Sequence, residues 1–131
     1  MYTNACAHAH IHAQGLTALK AHGVTPEVAL AAINGSSGRS WATLQRIPDN
    51  VLSRSFDYNF SLDLLAKDVH TCTEAILGDA SVGLSKDAFP LLCAASTRVH
   101  RALEILGGSA DHTEIVKLSE AATGMVLDKK N

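Results

Sequence analysis

Apolar residues recur at three- and four-residue spacing along most of this chain, the mark of helices that turn one face to a core. The clearest stripe is Leu62, Leu65, Val69, Cys72 and Ile76, which predicts a helix from about Ser61 to Leu77. A second stripe, Leu92, Ala95, Val99, Leu103 and Leu106, predicts another, with Asp87 as its cap and Pro90 in its first turn. Gly107-Gly108 ends it. An Ala-rich run from about Thr3 to His22 has high helix propensity, and Gly23 follows as its C-terminal cap. Thr25-Pro26-Glu27 reads as a capping hydroxyl, a proline at the first helical position and a dipole-favoured acid, opening a helix to about Ile33. Ser40 caps a short helix through Arg46 that stops near Pro48, and residues 48–59 are irregular. Gly78 to Lys86 is a loop. Asp111-x-x-Glu114 is a capping-box variant that opens a last helix from about His112 to Thr123, and the tail Asp128–Asn131 frays. No alternating strand pattern, repeat or linker interrupts this. The expected fold is all-α, a multi-helical bundle in one domain spanning residues 1–131.

Composition narrows the function classes. A chain of 131 residues is long enough to bury about two-thirds of its unfolded surface. Its 47% hydrophobic and 18% charged residues argue for a folded domain rather than a tail. A formal net charge of −2 with scattered Lys and Arg gives no case for nucleic acid. No apolar run approaches the roughly 20 residues that cross a bilayer. The first residues lack the basic-then-apolar pattern of a secretory leader. Cys6, Cys72 and Cys93 form no CxxC pair and read as reduced core thiols, so a cytoplasmic location is expected.

Four local patterns carry candidate chemistry. Phe60 and Lys67 stand seven residues apart with Leu64 between them, which on a helix places all three on one face. Lys67-Asp68, taken alone, is the kind of pair that forms a solvated patch. Gly35-Ser-Ser-Gly38 has no strand before it and no third glycine, so it reads as a turn with positive φ rather than a phosphate cradle, with Trp41 anchoring it on the core. In the run His8, His10, His12, the first and last share a helical face at zinc-pair spacing while His10 points away. Supporting ligands other than Cys6 are missing, so no metal site is expected. Arg98, His100 and Arg101 with Glu104 read as a solvated face holding an Arg101/Glu104 pair.

The stretch Phe60-Ser-Leu-Asp-Leu-Leu-Ala-Lys67-Asp68-Val69, together with Asn34-Gly-Ser-Ser-Gly-Arg-Ser-Trp41, resembles the C-terminal helical half of the β-hydroxyacid dehydrogenases. That is the family of 3-hydroxyisobutyrate dehydrogenase and L-threonate dehydrogenase, whose helical domain is of the 6-phosphogluconate dehydrogenase type. The resemblance runs from about Gln14 to Glu120. It implies that Lys67 reaches a nicotinamide cofactor, NAD or NADP, across an interdomain cleft that Asp68 and Phe60 also line. It implies dimerisation through this half, and a separate nucleotide-binding domain. The family's catalytic lysine serves as general acid and base. Aligning Gln14 with the family's glutamate, and Gly23-Val-Thr-Pro26 with its Gly-x-Asp-Pro turn, places that lysine upstream of Met1. Lys20 is on the wrong helical turn to replace it and Asn4 is out of register with the family's asparagine. The expectation is therefore a domain with cofactor contacts at Lys67, Asp68 and Phe60, no catalytic residue of its own, no tightly held cofactor, and little activity alone. The alternative is a stand-alone helical dimerisation module.

Overall fold

Helix-forming sequence and its stop signals account for most of the architecture. The structure, a computed structural model, describes residues 2–79, 81 and 83–129, with side chains from Ala9 onward. Helix α1 spans Tyr2–Ala21 and α2 spans Pro26–Asn34. Between them Gly23 takes φ 82°, and the amides of Gly23 and Val24 close on Lys20 and Leu19, a Schellman ending. Pro26 opens α2 as expected, but Thr25 is extended and its hydroxyl makes no cap bond. The long amphipathic helices α3 (Leu62–Leu77) and α4 (Pro90–Leu106) pack on each other. The chain closes with a 3₁₀ turn, His112–Val116, and α5, Lys117–Thr123. No strand occurs among the described residues beyond one isolated bridge between Ser61 and Asp111. The fold is all-α.

Segment 40–52 departs from the expected short helix. Ser40 does act as a cap: its Oγ accepts from the Thr43 amide at 3.2 Å, and Thr43 Oγ1 accepts from the Ser40 amide at 2.9 Å. The helix then runs through Pro48 as a π-helix, Ala42–Leu52. In a π-helix each amide reaches the carbonyl five residues back, so Pro48 leaves only the Thr43 carbonyl without a helical donor. Asn34 Nδ2 supplies that carbonyl with a bond at 3.2 Å. A proline is thus accommodated where an α-helix would break. Burial of Ala42, Thr43, Ile47, Val51 and Leu52 holds the segment down. Thr43, not Trp41, is the anchor: its side chain is fully buried and donates to Asn34 Oδ1 at 2.6 Å, whereas Trp41 is 60% exposed. Thr43→Val strands Asn34 Oδ1 and the Ser40 amide, and should lower the unfolding free energy by about 2 kcal/mol in urea titrations.

Several other expectations are corrected. Gly35 and Gly38 do not adopt positive φ. They are small for steric reasons, since a Cβ would lie 3.3 Å from the Ala31 carbonyl oxygen and 3.0 Å from Ile33 Cγ2, respectively. Asp87 sits inside a 3₁₀ turn, Lys86–Ala88, and Phe89 takes the cap position of α4. The Asp111/Glu114 capping box forms in full, but opens the 3₁₀ turn before α5 begins. Through Lys129 the tail is held rather than frayed. Leu127 is fully buried, Asp128 pairs with Lys20 at 2.8 Å, and the Lys129 amide bonds to the Leu52 carbonyl. Cys72 and Cys93 are free and half-buried, and the Cys6 side chain lies outside the described residues. Arg101 and Glu104 are exposed as expected but do not pair.

Two apolar cores result among the described residues. One joins α3 and α4 through Leu62, Leu65, Ala66, Val69, Val99 and Ala102. The other joins α1, α2 and the π-helix through Leu16, Leu30, Ile47, Val51 and Leu127. The 3₁₀ turn links them, since Ile115 enters the first and Val116 the second. That junction is where the buried charges collect.

Candidate functional site

On α3 the buried stripe Leu62, Leu65, Ala66 and Val69 fixes which residues face outward. Lys67 projects with its side chain 68% exposed, and its Nζ lies 3.7 Å from Asp68 Oδ1. That is a loose surface contact of little stabilising value. The ammonium is accordingly available to an incoming anionic group. Leu64 lies on the same exposed side, so an apolar patch flanks the cation. Asp68 is half-buried at its edge.

Phe60 does not share this face. It precedes α3, whose first residue is Leu62, so the seven-residue spacing does not translate into two helical turns. Its ring packs on the α3–α4 core and stands edge-on to His112, with centroids 5.5 Å apart. Its carbonyl accepts from the His112 amide at 2.9 Å and lies 3.2 Å from His112 Nδ1. The structure therefore keeps Lys67 and Asp68 together and assigns Phe60 to a different neighbourhood.

That neighbourhood is a basic cluster which sequence patterns did not reveal. His112 is 2% exposed, held between Phe60 and Tyr58, with Tyr58 at 5.0 Å. Arg46, 6% exposed on the π-helix, lays its guanidinium over the Tyr58 ring at 4.5 Å. From α1 His10 turns inward, and from α4 Arg98 bonds to Ser119 Oγ at 2.7 Å. The reading of Arg98 as part of a solvated face is corrected by that bond, which ties its half-buried side chain to α5. Burial pushes His10 down to about 4, assisted by His112, Arg98 and Arg46. His112 is also pushed down to about 4, by burial first and Arg46 second, against the opposing pull of Asp111 and the Phe60 carbonyl. Both rings are neutral near pH 7. Burial, with a smaller part from Arg101, lowers Arg98 below the usual guanidinium range.

Of the histidine run, the His8 side chain lies outside the described residues. His10 faces the basic cluster. His12 borders an open depression of about 260 Å3 with Ile11, Ser37, Gly38, Arg39 and Ser40. No group of three His, Cys, Asp or Glu side chains suited to a metal ion occurs among the described residues. No helix is long and apolar enough to cross a membrane, again among the described residues. A clue to the basic cluster was nonetheless present in the sequence. Arg46 sits on the spacing of Ala42, Thr43, Ile47 and Val51, a charge in the middle of a buried stripe.

Among known proteins, no curated one matches the chain. A family model does, over residues 4–119, nearly the whole length. The match covers the α3 surface with Lys67 and Asp68 as well as the helices that carry the basic cluster. The chain belongs to the family described as NAD-binding of NADP-dependent 3-hydroxyisobutyrate dehydrogenase.

Proposed function

We propose that this chain is the helical wall that closes the active-site cleft of an NAD(P)-dependent β-hydroxyacid dehydrogenase, of the 3-hydroxyisobutyrate or L-threonate type. The single observation that carries this reading is an exposed, loosely partnered Lys67 on α3 inside the matched region. An ammonium on a flexible stem suits a cofactor phosphate or ribose hydroxyl. Asp68, half-buried beside it, positions that stem, while Phe60 contributes from below by supporting the start of α3. Lys67 and Asp68 line neither the depression beside His12 nor the cavities around His10. The cofactor fits here as a guest on an open surface, with its other contacts coming from a nucleotide-binding domain. The helical domain by itself then transfers no hydride, because the cofactor is held only together with that second wall.

A titration of the chain with NADP+ followed by amide NMR shifts checks this. Residues 64–71 should move most, and Lys67→Ala should weaken binding about tenfold, the low end for a charge-assisted bond at an exposed site. Shifts confined to other elements, or equal affinity in the variant, would remove Lys67 from the site. Steady reduction of NADP+ by the chain with L-threonate or 3-hydroxyisobutyrate would refute inactivity of the isolated domain.

A second reading, a dimerisation module, draws on a different surface. Ile11, Trp41 and Leu44 are 57%, 60% and 46% exposed on α1 and the start of the π-helix. Large apolar side chains left open in this way are met at subunit contacts. Light scattering after size exclusion tests this reading, and a monomer at tens of micromolar counts against it.

A further inference from the structure

Arg46 is a buried cation with no acidic partner among the described residues. It is 6% exposed, its Nε makes no hydrogen bond, and one face of its guanidinium is covered by Tyr58. An arginine does not shed its proton to escape burial, and an uncompensated charge in a protein interior is strongly unfavourable. Its neighbours supply no negative charge. His10 on α1, His112 on the 3₁₀ turn and Arg98 on α4 are all bases, and Tyr58 offers only its ring. Asp111 is the adjacent acid, 3.5 Å from His112 Nδ1. Its oxygens are committed to the Thr113 amide at 2.9 Å, the Thr113 hydroxyl at 2.5 Å and the Phe60 amide at 3.4 Å. Glu114 is likewise taken, by the Asp111 amide and by Lys117.

Arg46, His10 and His112 line one small, partly open cavity of about 20 Å3, together with Thr113 and apolar residues including Ala13, Ile47 and Val116. A smaller one of about 10 Å3 lies beside it, sharing His10 and carrying Arg98 and Ser119. The first has room for about one water-sized group. A water would satisfy Arg46 Nε but would leave the charge unbalanced. We propose that this cavity binds a small monovalent anion, a halide or one carboxylate oxygen, held by Arg46 with His10 and His112 around it. The site is separate from the Lys67 surface and stands whether or not that surface binds a nucleotide. Occupancy should tighten as pH falls, because an anion there favours the protonated imidazoles over the neutral ones.

The test compares chloride, formate and gluconate at equal ionic strength; the hydroxylated carbon attached to gluconate's carboxylate, where formate has only hydrogen, keeps that carboxylate out of a water-sized space. Chloride or formate should raise the melting temperature over gluconate, and whichever does so identifies a free halide or a carboxylate as occupant. Excess 35Cl line broadening should appear with the wild type, fall several-fold in Arg46→Met, and decrease partially in His10→Ala. In gluconate Arg46→Met should melt as high as the wild type or higher, since an apolar stem replaces an unbalanced charge. If Arg46→Met does not fold, narrowing of the wild-type 35Cl signal by added formate supplies the same information. Identical melting in all three salts, broadening unaffected by both variants, no narrowing with formate, or a markedly lower melting temperature for Arg46→Met in gluconate would each overturn the proposal.

Discussion

Replacing Glu120 with alanine is expected to lower the unfolding free energy by about 2–3 kcal/mol, at or below the low end for breaking a buried ion pair on one side, because Glu120 is buried while the Arg54 side chain is 31% exposed. Glu120 is 7% exposed on α5. It meets Arg54 in a two-pronged pair, with Nη1 2.5 Å from Oε1 and Nη2 3.1 Å from Oε2, and Oε1 also accepts from the Leu127 amide at 2.8 Å. Arg54 Nη1 in turn donates to the Leu127 carbonyl at 3.1 Å. Two segments far apart in the chain, the end of the π-helix and the tail, are thus fixed to α5 by one carboxylate. Arg54 holds its position at φ 65°, a conformation disfavoured for a residue with a Cβ. Phe56 braces it, with Arg54 over its ring at 4.6 Å and Lys117 at 4.5 Å. Removing the carboxylate leaves Arg54 uncompensated and the Leu127 amide without an acceptor. Urea titration measures the loss, and hydrogen exchange should show the Leu127 amide opening ahead of the helices. A loss below about 1 kcal/mol would place the pair with ordinary surface salt bridges instead.

Neither Arg54 nor Glu120 stood out in the sequence, and the reason is general. Helix periodicity reports which positions are buried within one element, so α3 and α4 were legible to within a residue or two from Leu62, Leu65, Val69 and Val99. Gly23 and the Asp111/Glu114 box were legible because their chemistry is local. Partners separated by dozens of residues leave no such trace. The π-helix was hidden by Pro48, whose usual meaning is a stop. Only the donor brought by Asn34 from α2 makes the continuation possible. Trp41 misled because a lone large aromatic suggests burial, while the small hydroxyl of Thr43 did the anchoring. For the candidate site, Lys67 and Asp68 were readable as helix positions. Phe60 was not, because the seven-residue spacing assumed that the helix began two residues early. The basic cluster draws its members from α1, the π-helix, α4 and the 3₁₀ turn, and no spacing rule spans four elements.

Acid should destabilise this protein well before its carboxylates are protonated. His10 and His112 titrate near 4 in the folded chain and at about 6.5 when unfolded. The unfolded chain therefore binds more protons between those values, and stability rises with pH across that window. Put the other way, the contribution is complete above about pH 6.5 and is lost as pH falls toward 4. A tenfold change in proton affinity corresponds to about 1.4 kcal/mol. Two neighbouring rings that repel each other when charged should together account for roughly 4 kcal/mol, on the order expected for buried histidines that titrate together. Asp57, Asp63 and Asp79 are held below the ordinary carboxylate range, first by hydroxyls of Ser55, Ser61 and Ser81. What they contribute disappears only below about 3.8, so the two effects separate along the pH axis. Urea midpoints measured from pH 7 to pH 4 in gluconate buffer should fall steadily. His112→Asn, whose amide nitrogen can still donate to the Phe60 carbonyl, should remove about half of that slope, and His10→Ala part of the remainder. A midpoint that stays level down to pH 4.5 in the wild type would mean that water reaches both rings and that the junction between the two cores is wet.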